Sequence, residues 1–251
     1  MRPKSQGMSS RQQTSLCSVV TSRLALYSLL VALLATMVGC AIPHVPSRTV
    51  YEDPVNYVRL EEDPGVLLEW PPSFHTHPAA IGPDKLRVIL AGLRAQEHRV
   101  AIQRWIQGEA PIVPVFQDEE ISLLSVQMAD AFAQAKLNER VTFYLSLPQT
   151  STKRVITSGG AYVKGTELHL VLGNWHVVYG IPAYGMIYDR RYPMRPTAAK
   201  GFDLFFEQAE AVIPTYSSML DDLLANGKDE MVLDLDKIQV PPPVPVGTPL
   251  S

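Results

Sequence analysis

His75 and His77 stand two residues apart in Trp70-Pro-Pro-Ser-Phe-His-Thr-His-Pro78. In an extended chain both rings would point the same way, as two metal ligands do. A catalytic zinc site needs a third protein ligand, and no HExxH pattern or third partner at motif spacing accompanies them. Flanked by Pro72 and Pro78, they read as loop histidines, and no metal is expected. His169 alternates with Leu168 and Leu170, which places it on the solvent side of a strand. Thr157-Ser158-Gly159-Gly160 sets a hydroxyl beside backbone donors, the raw material of acyl transfer. It lacks the strand–elbow–helix context of GxSxG and has no His/Asp pair tied to it, so its glycines read as a bulge or turn. The acid pairs Glu61/Glu62, Glu119/Glu120 and Asp221/Asp222 are adjacent in sequence, the pattern of solvated faces and helix starts. Two-acid cleavage of peptidoglycan needs carboxylates that converge in a cleft, which spacing does not display. No catalytic residue is assigned, and no cofactor is expected.

The segment with the most distinctive chemistry is Ile181-Pro-Ala-Tyr-Gly-Met-Ile-Tyr-Asp-Arg-Arg-Tyr-Pro-Met-Arg-Pro196. Arg190, Arg191 and Arg195 stand against one acid, Asp189, while Tyr184, Tyr188 and Tyr192 recur every four residues. Its prolines disfavour a helix, so it reads as a long, stiff, aromatic loop. Tyr and Arg carry much of the energy of protein interfaces, and Arg also forks onto phosphate or carboxylate. Tyr184, Tyr188, Arg190, Arg191, Tyr192 and Arg195 are therefore the candidate partner-binding residues. Contact with anionic lipid or glycan and a buried structural role are the alternatives.

The first forty residues read as an address. Residues 1–23 hold Arg2, Lys4, Arg11 and Arg23 with no acid, and an apolar run of 15 residues follows from Leu24 to Val38. A bilayer-spanning helix needs about 20 residues, so the run reads as a cleaved secretory signal over residues 1–39. Met37-Val38-Gly39-Cys40 resembles the lipobox of bacterial lipoproteins, with Met37 where Leu is usual. That resemblance implies diacylglycerol on the Cys40 sulfur, cleavage before Cys40, acylation of the new amino group and attachment to a membrane. Ala41 in place of Asp implies the outer membrane, facing the periplasm; the inner membrane and the cell surface are the alternatives. Translation starts at Met1 or Met8. An uncleaved anchor, or an ordinary signal followed by a coincidental cysteine, is the competing reading.

Removing residues 1–39 leaves 18 Lys+Arg against 25 Asp+Glu, a net charge of −7, compared with −3 for all 251 residues. That balance excludes a general nucleic-acid binder. Cys17 leaves with the signal and Cys40 is taken by lipid, so no cysteine remains for a disulfide, a thiolate nucleophile or a Cys-ligated metal. Residues 40–54 read as a flexible tether, 55–237 as one domain, and 238–251, with five prolines, as a disordered tail.

Within the domain, a short strand is expected at Val55–Leu60 and a loop over 70–78. A helix starts at Gly82-Pro83-Asp84, and a second starts near Asp118 with an apolar stripe from Ile121 through Leu124, Met128 and Phe132 to Ala135. The segment 97–107 is ambiguous. A half-buried strand over 141–147 precedes a hairpin, Arg154–Lys164 and Glu167–Gly173, turned at Gly165-Thr166 in the II′ manner. Further strands are expected at 175–179, 202–212 and 231–235, with a short helix at 217–225. The fold class is α+β, a mainly antiparallel sheet with two or three helices packed on it; α/β is the alternative. Together these readings describe a membrane-anchored envelope lipoprotein, a non-enzymatic accessory or scaffold that binds another envelope protein. An envelope hydrolase acting on peptidoglycan or glycan, and a carrier of lipid or a small ligand, are the other classes.

Overall fold

The computed structural model describes residues 45–68, 70–99, 101–150, 153–180, 190–196, 201–214 and 230–242, together with Tyr27. The chain divides between His44 and Val45 into two units. The described residues, Tyr27 apart, belong to the second. Cys40, the apolar run 24–38 (Tyr27 apart), Tyr184, Tyr188 and the helix expected at 217–225 lie outside the described residues, as do 243–251 of the tail.

The fold is α+β. Six strands form one antiparallel sheet in the order β1 (Ser47–Glu52), β2 (Tyr57–Glu62), β5 (Glu139–Pro148), β6 (Lys153–Lys164), β7 (Glu167–Gly180), β9 (Glu230–Asp234). A second, three-stranded sheet runs β4 (Ile112–Pro114), β3 (Leu93–Glu97), β8 (Phe202–Phe206), again antiparallel. Four helices complete the described elements: α1 (Pro64–Leu68), α2 (Pro83–Gly92), α3 (Ala101–Gln107) and α4 (Asp118–Gln134).

Helix α4 forms for the reasons its sequence gives. Acids fill its first turn, and the backbone N–H of Gln117 donates to Glu120 Oε2 at 2.8 Å, closing the end where helix amides lack partners. Leu124, Met128 and Phe132 then lie fully buried on one side. They join Leu86, Ile89 and Leu90 of α2 and one face of the large sheet, carrying Val58, Leu60, Val141, Phe143, Leu168 and Leu170, in a single core. Period-two strands send their other residues to the opposite face. The hairpin turn has positive φ at Gly165 (60°), with Lys164 paired to Glu167, as a II′ turn requires.

Several boundaries differ from the expectation. Strand β1 occupies Ser47–Glu52, inside the segment read as tether. An edge strand needs only one ladder, and here Val50 and Tyr51 pack on the core beside prolines that dominate the local composition. The ambiguous segment resolves into the end of β3 and helix α3. The strand expected over 202–212 ends at Phe206 and gives way to a 3-10 turn at Ala209–Ala211. The two strands expected at 167–173 and 175–179 are one, β7, interrupted by register shifts opposite Ile156, Ser158 and Gly159. One shift spans Trp175 and His176, and His176 takes φ of 49° to accommodate it.

Candidate functional site

The face of the large sheet turned away from the helices is polar, and it holds every candidate partner-binding residue that the described segments reach. Its upper part is a platform for the chain from Arg190 to Pro196. Tyr57 on β2 and Tyr144 on β5 stack with ring centroids 5.4 Å apart, and the Arg190 guanidinium lies 5.3 Å from each centroid. Arg59 covers Tyr57 at 4.1 Å, the Tyr57 hydroxyl donates to the Arg190 carbonyl, and Arg190 pairs with Glu52 at 3.5 Å. Arg190 thus fastens the loop to its own sheet. Replacing it by Ala is expected to cost about 1 kcal/mol through lost cation–π contact, read as a lower urea midpoint with an unchanged m-value.

The next residues are held by the Ser158-Gly159-Gly160 segment and its bulged partner. Ser158 Oγ donates to the Pro193 carbonyl at 2.8 Å and accepts from Asn174 Nδ2 at 3.0 Å. Asn174 Nδ2 also donates to the Arg195 carbonyl at 3.0 Å. A Cβ on Gly160 would meet Met194 Sδ at 2.5 Å, and one on Gly173 would meet the Pro193 carbonyl oxygen at 2.6 Å. These glycines let another stretch of backbone lie directly on the sheet. Ser158 therefore acts as a clamp on the loop. The bulge forms as expected near the glycines, with its extra residues on β7 rather than β6. Pro193 is buried, Tyr192 and Met194 are half-buried, and Arg191 and Arg195 are exposed.

Beside this platform runs a row of ionisable side chains that sequence reasoning missed. Glu61 faces Arg140 across β2 and β5, and Tyr162 faces His169 across β6 and β7. Arg140 lies 4.0 Å from Glu61 and 3.4 Å from Asp63, and Asp63 Oδ2 is 3.1 Å from His75 Nε2. The Tyr162 ring packs at 4.4 Å from His75 and stacks at 4.6 Å on His169. The Tyr162 hydroxyl and His169 Nδ1 both lie 2.8 Å from the same oxygen of Glu230.

Five expectations about ionisable groups are corrected here. Glu61 is 4% exposed, not on a solvated face, because alternation turns it under Arg140 while Glu62 stays exposed. Glu120 is likewise buried, with its carboxylate turned back onto the start of α4. His75 is 3% exposed, not an ordinary loop histidine. His77 is also buried, its ring 5.5 Å from that of His75, and it accepts from the Val163 N–H at 3.1 Å and meets the edge of Phe132. His169 does sit opposite the core, but Tyr162 and Glu230 cover most of it. The signal available in the sequence was alternation of Arg140, Tyr162 and His169 with core residues on three predicted strands.

Burial sets the electrostatics. It pushes the Glu61 carboxyl above its ordinary range, with Arg140 pulling the other way. It also pushes Asp63 up, but the hydrogen bond with His75, the Arg140 charge and the Gly65 amide together hold that carboxyl below its ordinary range. Burial, followed by the charge of Glu230 and its hydrogen bond, drives the Tyr162 hydroxyl well above its usual value. His77 is held down by burial and then by the nearby His75. The row links five strands and the 63–78 segment through charge-assisted bonds.

Among the described residues no group of three His, Cys, Asp or Glu is placed to hold a metal ion, and no helix is long and apolar enough to cross a membrane. Two surface depressions stand out. One, of about 590 Å³, lies between the Phe74–Pro78 stretch and the end of α4; the other, of about 390 Å³, is lined by Glu97, Arg99, Arg104, Glu109 and Asp203. No protein-family model, curated protein or solved structure matches this chain.

Proposed function

We propose that the chain is an envelope lipoprotein, held at the outer membrane by lipid on Cys40 and facing the periplasm, whose domain binds another envelope protein through the Tyr184–Arg195 loop. The observation that carries the binding role is the clamped base of that loop. Arg190, Pro193 and Met194 pack onto the sheet, leaving Arg191 and Arg195 exposed on a fixed backbone. A segment such as 190–196 that is already held before association loses less entropy on binding, so its arginines convert more of their contact energy into affinity. The mature chain carries 18 cationic against 25 acidic residues, and a segment that exposes Arg191 and Arg195 is suited to an acidic partner. The lipid anchor draws its support from Gly39-Cys40 and the cationic, then apolar, residues ahead of it.

Crosslinking in intact envelopes, followed by mild-detergent capture and mass spectrometry, tests this reading. A stoichiometric partner is expected with the native protein. Arg191→Ala with Arg195→Ala is expected to weaken its capture about tenfold or more, while thermal unfolding of the domain stays within about 1 °C, since both side chains are exposed. Undiminished capture by a folded double variant sinks the assignment of this surface. Labelled palmitate that fails to enter the native protein, or enters Cys40→Ser equally well, sinks the anchor.

A further inference from the structure

We propose that the apolar side of helix α3 rests in the interfacial layer of the membrane to which the chain is anchored. This rests on the lipid at Cys40 and goes beyond the partner-binding loop. Ile102, Trp105 and Ile106 are spaced i, i+3, i+4 and so share one side of the helix, where they are 61%, 83% and 67% exposed. A side bearing a tryptophan and two isoleucines, with a polar opposite side of Gln103, Arg104 and Gln107, is the composition of a segment lying in a bilayer interface.

The helix is built to present that side. It sits in the excursion between β3 and β4, and β4 is an edge strand of the small sheet, so the excursion projects from the domain. Arg99 Nη1 donates to the carbonyls of Gln107 and Gly108 at 3.2 and 3.1 Å, tying the helix end back to its start. Arg104 pairs with Glu109 at 3.7 Å, and His98 Nε2 lies 2.7 Å from Asp203 Oδ2 at the base. Residues 97–112 hold Glu97 and Glu109 against Arg99 and Arg104, a net of zero, whereas the mature chain is acidic. An anionic lipid surface therefore does not repel this excursion as it repels the chain as a whole.

Two further arguments select a bilayer over a protein as the occupant. Three side chains on a seven-residue helix offer well under the ~800 Å² per partner of a stable protein interface. They suffice where the anchor already supplies most of the attachment. Only Ala41–Pro46 separate Cys40 from Ser47, and at ~3.6 Å per residue that chain spans at most about 25 Å, which keeps the domain against the bilayer.

The test uses the full lipidated protein in phosphatidylethanolamine/phosphatidylglycerol vesicles whose acyl chains carry bromine, a contact quencher of tryptophan. Wild type and Trp70→Phe are expected to be quenched, although Trp70 is 93% exposed. Trp105→Phe is expected to lose the quenching, and Ile106→Glu to lose most of it with the domain intact. Quenching that survives in Trp105→Phe overturns the proposal, because another surface is then immersed. An unquenched wild type whose amino-terminal lipopeptide has the mass of the acylated Cys40 form overturns it while leaving the anchor standing. Absence of that lipopeptide removes the anchor, and this inference with it.

Discussion

Replacing Arg140 by Ala is expected to destabilise the domain by about 3 kcal/mol and to steepen its loss of stability from pH 5 to pH 7. The guanidinium is the cation shared by Glu61 and Asp63, at 4.0 and 3.4 Å, and its removal leaves two covered carboxylates facing each other's field. In the wild type, Asp63 is held below its ordinary value by His75, Arg140 and the Gly65 amide. A depressed carboxyl contributes stability above its unfolded value of about 3.9, lost as pH falls through the folded value, so Asp63 weakens the wild type only in acid. Glu61 behaves oppositely, because burial raises it and Arg140 is the largest force restraining that rise. Without Arg140 it rises further. A raised carboxyl contributes stability that is present below about 4.3 and disappears as pH climbs through the folded value. Arg140→Ala should therefore gain more stability between pH 7 and pH 5 than the wild type does. Urea titrations of both proteins at the two pH values decide it, and parallel profiles would rule the account out. Adding Glu61→Gln to Arg140→Ala is expected to restore part of the loss at pH 7 and to remove the gain at pH 5.

Gly173→Ala is the second large effect, about 2 kcal/mol from overpacking, felt first by the loop. The new methyl carbon would stand 2.6 Å from the Pro193 carbonyl oxygen and 2.9 Å from the Met194 carbonyl carbon, both backbone atoms that cannot rotate aside. Either the loop lifts from the sheet or β7 distorts at its bulge. Lifting breaks the bonds from Ser158 and Asn174 to Pro193 and Arg195, and frees the backbone after Arg190 and Arg191 for trypsin, whereas the Arg195-Pro196 bond resists it. Cleavage within 190–196 is expected to accelerate about tenfold or more, since proteolysis follows the population of the opened form. Gly201→Ala, which meets nothing within 4 Å, is the matched control and should change cleavage little. Equal cleavage in the two variants would mean that the glycine platform does not hold the loop.

The elements that were legible in the sequence are those whose side chains have one consistent periodicity. Ile121, Leu124, Met128 and Phe132 announce α4, and the alternation through Phe143 and Leu145 announces β5, because each pattern has a single apolar face to bury. The hairpin was legible through Gly165, whose positive φ the turn demands. β1 was hidden because an edge strand beside prolines needs few apolar residues, and one of its fastenings is Arg48, a residue no pattern marks. The ionisable row was hidden for a different reason. Its members come from β2, β5, β6, β7, β9 and the chain before α2, and they meet only because registers place Glu61 against Arg140 and Tyr162 against His169. Of the loop, the sequence carried its arginines. It could not tell that Arg190 turns inward onto Tyr57 and Tyr144 while Arg191 and Arg195 do not.

Arg48 also settles how the domain takes a mechanical load. A pull on the chain ahead of Ser47 enters at β1, an outermost strand, where a ladder to β2 alone could be peeled one pair at a time. Arg48 sits one residue inside that entry point and reaches past β2. Its guanidinium donates to both carboxylate oxygens of Glu139, at 3.2 and 3.0 Å, and to the Gln134 carbonyl at the end of α4. Tension is thereby shunted from the sheet's rim to the first residue of β5 and to the main core helix, so that the strand nearest the pull is not the first to tear away.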